Sequence, residues 1–336
     1  MLYLKVRKKD GEKIRGELLK REILENEYRI LKNEEFLYFP LKKRIKLPET
    51  WIVERKGEKV KKRHSVEELL KGNLSCEELK LLPKSFEIIG DILILELDER
   101  LLKKRKEIGN AFLKSHKNVK VILRKLSERK GEFRTRNFEI LAGEKRTETL
   151  HKEYGCVFKL DVRKVYFSPR EATERQRIAK KVKDGEEILV MFSGIAPFAI
   201  QIAKRRNCKI ICVEKNPVAV KYAEENLRLN KVSEKVKNLC GDIKEFSNKL
   251  PKFDRILMPL PKGAYNFLDI AISLLKDGGI LHFYYWSREE NLFSEAENLV
   301  KKVAKNFGRK VEILEKKKVL PYSPRTWKVV LDCKIL

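Results

Sequence analysis

Three short segments in the second half of the chain place acidic side chains beside small residues in a pattern that suits a nucleoside-type ligand. Phe192-Ser193-Gly194-Ile195-Ala196-Pro197-Phe198 is a small-residue turn leading from an apolar run into a helical pattern. Glu214 ends the next apolar run and is followed by Lys215, Asn216 and Pro217. Asp242, in Cys240-Gly241-Asp242, follows the third run and precedes Ile243. The interval from Gly194 to Glu214 matches the gap of about 20 residues between a glycine turn and the acid that grips a ribose. Taken blandly, the glycine is only structural and the acids only cap the helices that follow. After the fourth run, Met258-Pro259-Leu260-Pro261-Lys262-Gly263 fixes φ twice and is a candidate pocket wall, or an ordinary loop.

Those segments need a scaffold that brings strand ends together, and from Glu186 onward the pattern supplies one. Short apolar strands are expected at Glu187–Phe192, Lys209–Val213, Val236–Leu239, Arg255–Met258 and Ile280–Trp286. Helices fit between them at Phe198–Arg205, Val218–Leu229, Ile243–Leu250 and Tyr265–Leu275, with Asp277-Gly278-Gly279 turning into the fifth strand. Late strands at Val311–Leu314 and Trp327–Ile335 can pair at one edge. Five parallel strands and a terminal antiparallel pair are the plan of an α/β, Rossmann-like class I methyltransferase domain. Open parallel sheets bind ligands beyond the carboxyl ends of their strands, where all three acidic or glycine segments fall. One glycine without GxGxxG is poorly suited to a pyrophosphate, whereas carboxylates suit ribose hydroxyls and adenine amino groups. S-adenosylmethionine is therefore favoured over NAD.

The composition points to an anionic partner. Of 336 residues, 77 are Lys or Arg and 49 Asp or Glu, a net charge of +28. Charged residues reach 38% and glutamine occurs only as Gln176 and Gln201, as in hyperthermophile proteins with surface ion-pair networks. Such networks need both signs in similar amounts, so the excess suits nucleic acid. No basic amphipathic helix with an apolar face for lipid is apparent, and no apolar stretch approaches the ~20 residues of a membrane span. A cytoplasmic, archaeal, monomeric protein without membrane contact is expected. The six cysteines form no CxxC pair and the four histidines no ligand spacing, so no metal site is expected.

Three domains are expected. Residues 1–56 read as a small α+β unit, with strands at Leu2–Val6, Glu35–Pro40 and Trp51–Glu54 and a helix at Glu12–Glu22. Residues 1–64 carry twenty basic and eleven acidic side chains, and the basic stretch 57–64 reads as a linker. Ser65-Val66-Glu67-Glu68 has the form of a capping box and opens a middle α+β domain, 65–165. It is expected to hold one strand at Phe86–Leu97, a helix near Glu99–Leu113 and a strand at Val119–Leu123. The Rossmann-like domain covers 166–336.

In the last part of the middle domain and the start of the Rossmann-like domain lie the strings EFR-x-R at Glu132–Arg136, LAGE-x-RT at Leu141–Thr147, HKE-x-G at His151–Gly155, KVYFSPR at Lys164–Arg170 and ER-x-RI at Glu174–Ile178. With them the chain resembles, over essentially its whole length, the archaeal and eukaryotic tRNA (guanine-37-N1)-methyltransferases. The resemblance implies methyl transfer from S-adenosylmethionine to N1 of guanosine 37, beside the anticodon of a tRNA that carries G there. It implies Glu174 as the base that takes the N1 proton and Arg134 as the cation facing O6. Tyr166 and Pro261 would border the guanine. Arg175, Phe192, Ser193, Gly194, Glu214, Lys215, Asn216, Asp242, Ile243 and Pro259 would border the cofactor, and the first domain would contact the outer corner of the tRNA. The residues alone leave Glu174 free to be an ion-pair partner of Arg170 or Arg177, and Arg134 a phosphate binder.

The chain departs from the family pattern at three points. Val190 stands where an acid is usual, Ala196 where a second glycine is usual, and Pro259 where an Asn amide is usual. Two further readings follow: a related methyltransferase acting on a wyosine precursor at the same tRNA position, or a tRNA-binding protein with impaired catalysis.

Overall fold

The computed structural model describes residues 1–59, 64–128 and 131–336. Residues 60–63 of the expected linker, with the run Lys61-Lys62-Arg63, lie outside the described residues, as do Arg129 and Lys130. The chain divides into two compact units, Met1–Leu69 and Leu70–Leu336.

In the first unit the strands Leu31–Lys32, Phe36–Pro40, Leu2–Arg7 and Trp51–Glu54 form an antiparallel sheet in that order. The helix Gly11–Lys20 contributes Ile14 and Leu18 to a small core with Leu4, Val6 and Phe39. Its apolar positions recur at helical spacing, and its remaining positions are mostly charged. Ser65 and Glu68 form the reciprocal capping box that starts the helix Val66–Leu70: the Glu68 amide donates to Ser65 Oγ at 3.1 Å, and the Ser65 amide to Glu68 Oε2 at 3.0 Å.

In the second unit, the apolar run expected as one strand is a hairpin, Glu87–Ile89 paired with Ile92–Leu95. The cause is Gly90-Asp91. Gly90 has φ +59°, and a Cβ there would stand 2.2 Å from Thr149 Oγ1. Arg146 holds both carboxylate oxygens of Asp91, at 2.9 and 2.6 Å, which fixes the turn. A 3-10 turn, Glu99–Lys104, and the helix Arg105–Ser115 cross over to the parallel strand Val121–Lys125, and Phe138–Gly143 closes this sheet. A second hairpin pairs Glu148–Glu153 with Cys156–Asp161. These last three strands are not evident from the sequence, because charged residues interrupt their alternation.

The helix α1 (Ala172–Lys181) leads into the main sheet. Its strands are β1 (Glu187–Met191), β2 (Lys209–Glu214), β3 (Val236–Cys240), β4 (Phe253–Met258), β5 (Leu275–Arg288), β6 (Val311–Ser323) and β7 (Thr326–Ile335). They lie in the order β3-β2-β1-β4-β5-β7-β6, with the first five parallel and β7 antiparallel to both neighbours. The helices α2 (Pro197–Ala203), α3 (Pro217–Leu229), α4 (Ile243–Phe246), α5 (Leu268–Ser273) and α6 (Ser294–Asn306) connect them. β5 starts earlier than expected because Asp277-Gly278-Gly279 is a bulge inside the strand: pairing passes from Phe253–Leu275 to Arg255–Ile280. β6 runs past Leu314 through a lysine-rich stretch that hides its alternation.

Ile188 and Val190 belong to one core and Leu189 and Met191 to another, so β1 is buried on both faces, as a central parallel strand must be. The first core also takes in Phe158, Leu160, Val165 and Phe167, so it runs across the boundary expected at 165/166. The second hairpin is tied to α3 by two asparagines. Asn226 bonds the amide and carbonyl of Lys159 at 2.6 and 3.1 Å, and Asn230 those of Val157 at 2.9 and 2.7 Å. They satisfy backbone groups that an edge strand would leave open. No helix among the described residues is long and apolar enough to cross a membrane.

Candidate active site

The carboxyl ends of β1, β2 and β3 converge on a cavity of about 230 Å³. After β1 the chain turns through left-handed conformations at Phe192 (φ 56°), Gly194 (57°) and Ala196 (63°) before entering α2. A Cβ on Gly194 would meet no protein atom nearer than Tyr166 O at 3.9 Å, and Gly194 lines the cavity, so the missing side chain leaves room there for a ligand to approach the backbone. Ala196 accepts the conformation at the cost of about 1–2 kcal/mol typical of an L residue there.

Glu214 holds this turn. Its Oε2 accepts from the Gly194 amide at 2.7 Å and its Oε1 from the Asn216 amide at 2.8 Å. Burial pushes its carboxyl above the ordinary range, against the pull of the Asn216, Gly194 and Lys215 amides. Three amides leave one of the four carboxylate lone pairs for a ligand hydroxyl. Asn216 caps α3 through the Val218 and Ala219 amides. Asp242 caps α4, and Lys215 bridges Glu132 at 2.6 Å and Asp242 at 3.5 Å. Asp242 thus caps a helix and, like Glu214, also lines the cavity, together with Ile243, Ser193 and Phe192. An open glycine turn, a buried strand-end carboxylate and apolar neighbours fit the ribose and adenine of S-adenosylmethionine.

The same cavity is lined by Arg134, Tyr166, Glu171, Arg175 and Pro259. The Arg134 guanidinium lies 4.9 Å from the Tyr166 ring centroid, on a residue with φ 52°. Arg175 is buried and donates to Glu153 Oε1 at 2.8 Å and to the Ser168 carbonyl at 3.0 Å, so its charge is already neutralised by the HKE string. Pro259 lacks a side-chain donor or acceptor, but its carbonyl accepts from Lys328 of β7 at 3.1 Å.

Two of the expected residues do not line the cavity. Pro261 is buried beyond it, and Leu260 takes that place. Glu174 is buried with its carboxylate engaged. It accepts from Arg177 at 2.7 and 2.9 Å and from the Tyr284 hydroxyl at 2.7 Å, and Arg177 in turn reaches Asp332. Position 177 follows Glu174 by one helical turn, so the two share a face of α1 that points into this ion-pair network. The carboxylate from this segment that does line the cavity is Glu171, which the sequence reading passes over. It accepts from the Tyr166 hydroxyl at 3.1 Å and faces Lys328 Nζ at 3.0 Å. Burial would raise the Glu171 carboxyl, but the Lys328 ammonium and the Arg175 guanidinium outweigh it and hold the group below its usual range.

Sheet order and cavity together define a Rossmann-like methyltransferase. The chain belongs to the TRM5/TYW2 methyltransferase family. The model of the TRM5/TYW2 methyltransferase domain matches residues 149–314, that of the TYW2 N-terminal domain residues 66–147, and that of the tRNA methyltransferase 5 N-terminal domain residues 4–49. The tRNA (guanine(37)-N(1))-methyltransferase Trm5b of Pyrococcus abyssi is 42% identical over 99% of this chain and 99% of its own length. Trm5b of Methanocaldococcus jannaschii is 36% identical, over 99% and 98%. A solved complex of aTrm5 and tRNALeu matches with a TM-score of 0.73 at 35% identity, covering 100% of both chains.

Proposed function

We propose that the protein transfers a methyl group from S-adenosylmethionine to N1 of guanosine 37 in tRNA. The observation that carries this reading is one cavity lined both by the nucleoside-type set Gly194, Glu214 and Asp242 and by the cation–aromatic pair Arg134 and Tyr166. Full-length similarity to proteins named for this reaction supports it. The net charge of +28 suits a partner dense in phosphates, and the basic first unit supports contact with tRNA away from the anticodon.

The chemistry sets three demands. When bound, S-adenosylmethionine supplies an electrophilic methyl group. Guanine N1 carries a proton at neutral pH, so a base must take it, and Glu174 is the group the resemblance implies. Negative charge growing on O6 calls for a fixed cation, for which Arg134 is suited. Tyr166 offers a ring against which the extruded base can lie.

The test is incubation with labelled S-adenosylmethionine and two tRNA transcripts differing only in G or A at position 37, followed by nucleoside mapping. Label in 1-methylguanosine from the G transcript alone is expected. Label on both transcripts, or on neither while a tRNA carrying a wyosine precursor is methylated, would overturn the proposal.

A further inference from the structure

The hairpin of β6 and β7 carries an exposed aromatic pair near its tip. Tyr322 is 63% exposed, more than any other large hydrophobic side chain among the described residues, and its ring centroid lies 3.7 Å from that of Trp286 on β5. A lone exposed aromatic needs no explanation. This one is held against a second ring, adjoins the ligand cavity and stands among cations. Register fixes its place. Trp286 pairs with Lys328 across β5 and β7, so the two side chains leave the sheet on one face, and Tyr284, two residues earlier, shares that face. There Lys328 Nζ lies 4.8 Å from the Tyr284 ring centroid, 3.0 Å from Glu171 Oε1 and 3.1 Å from the Pro259 carbonyl oxygen, and Glu171 and Pro259 both line the cavity. The aromatic pair thus continues the cavity wall outward, toward the tip of the hairpin. Arg170, beside Glu171, donates through Nη2 to the Pro321 carbonyl at 3.3 Å, next to Tyr322. Arg170, Arg288 at the end of β5 and Arg325 in the hairpin turn are all exposed, whereas of the acids Glu289 and Glu290 the first is paired with Lys318 at 3.4 Å.

A guanine drawn into the cavity leaves the stack of the anticodon loop, and the base beside it loses one stacking face. An aromatic ring replaces that face whatever the base, because every base offers a π surface. We propose that Trp286 and Tyr322 form a stacking platform for the unpaired anticodon-loop nucleotide next to guanosine 37, with Arg170 taking the phosphate beside it. The inference deepens the methyl-transfer reading and rests on it. Trp286 backs the Tyr322 ring, so the platform is set before RNA arrives and little side-chain freedom is lost on binding. One donor of the Arg170 guanidinium is fixed by Pro321, and the fork that remains suits a phosphate. By holding the neighbour, the platform sets the position of nucleotide 37 without reading sequence.

The test measures equilibrium binding of a G37 transcript to wild type, Tyr322→Ala, Tyr322→Phe and Arg170→Ala at several salt concentrations, with S-adenosylmethionine affinity and Tm alongside. Transcripts abasic at position 36 or at position 38 are titrated with wild type and Tyr322→Ala. Tyr322→Ala is expected to weaken tRNA binding by about 5- to 100-fold, with Tm and cofactor affinity kept. Tyr322→Phe keeps the ring and should bind within about twofold of wild type. Stacking carries no charge, so the salt dependence of Tyr322→Ala should match wild type, whereas that of Arg170→Ala should lose about 0.7 from its log–log slope. At one of the two abasic positions wild type should lose as much as Tyr322→Ala does, and Tyr322→Ala should lose no more there. Binding by Tyr322→Ala within about twofold of wild type, Tyr322→Phe as weak as Tyr322→Ala, or additive losses at both abasic positions would overturn the platform; an unchanged slope in Arg170→Ala would overturn the phosphate contact. Binding needs no turnover, so a wild type that forms no 1-methylguanosine would refute the methyl-transfer reading while these affinities still decide for or against the platform.

Discussion

Replacing Glu214 by Gln separates ligand binding from folding in a way the structure makes quantitative. Each oxygen of Glu214 already takes one backbone donor, Gly194 at 2.7 Å and Asn216 at 2.8 Å. An amide keeps one acceptor and turns its NH2 group toward the other donor, so one charge-assisted bond worth about 1.5–3 kcal/mol is lost from the turn. The charge that would accept ribose hydroxyls is lost as well. A charge-assisted bond to a ribose hydroxyl is worth a similar amount, about 1.5–3 kcal/mol, so at 1.4 kcal/mol per tenfold S-adenosylmethionine affinity is expected to fall by about 10- to 100-fold. Stability should respond differently. A carboxyl raised in the folded state stabilises most below its unfolded pKa of about 4.3, and that contribution is lost as pH rises through the folded value. At pH 7 the ionised group therefore works against folding, and a neutral amide offsets part of the lost bond. With about 1 kcal/mol worth 2–4 °C in a chain of this size, Tm should move by only a few degrees. Isothermal titration and thermal unfolding of both proteins at pH 7 read the two effects. An affinity within threefold of wild type, or a collapse of Tm that accounts for all lost binding, would refute the reasoning.

Arg134→Ala should lower single-turnover methyl transfer by about 100- to 1,000-fold, as loss of an oxyanion donor does, with S-adenosylmethionine affinity unchanged; equal rates would remove Arg134 from the reaction. Asn226→Ala leaves the amide and carbonyl of Lys159 without their partner and should cost about 2–4 kcal/mol in urea unfolding. A loss under about 0.5 kcal/mol would show the hairpin does not depend on it. His282 is fully buried, with its Nε2 2.7 Å from Arg255 Nη1 and its Nδ1 2.6 Å from Asp332 Oδ1, and burial drives its pKa down. Its contribution to stability is therefore complete above the unfolded value of about 6.5 and lost as pH falls. Asp332, held well below the carboxylate range by His282 and Arg177 despite burial, adds a further loss through the acid range. Calorimetry from pH 8 to 4 should show Tm falling steadily below about pH 6.5, and a flat Tm would contradict this.

The strand ends were open to sequence reasoning because a parallel βα repeat puts the residue after each apolar run at the ligand edge of the sheet. Glu214 and Asp242 needed no knowledge of distant contacts. Glu171 was hidden because its partner, Lys328, arrives from β7, near the far end of the chain, and a lysine in Thr326-Trp327-Lys328 looks like a solvated strand start. Glu153 is one charge in the HKE string with nothing local to mark it, although its buried pairing with Arg175 is what neutralises that guanidinium. Glu174 stood out by its neighbours, yet the same helical spacing that marks it gives Arg177 the means to engage it. The middle hairpin resembles one strand in the sequence because the apolar residues on either side outweigh the Gly90-Asp91 turn signal between them.

The central claim is transfer to guanine N1, and one competition addresses it most directly. Full-length tRNA with guanosine at position 37 and the same tRNA bearing 1-methylguanosine there are mixed in equal amounts with wild-type protein and labelled S-adenosylmethionine. They are then separated and digested. Label confined to the first tRNA, as 1-methylguanosine, is the predicted result. Label of similar extent in the second, whose N1 is already blocked, would place the methylated atom elsewhere and contradict the account.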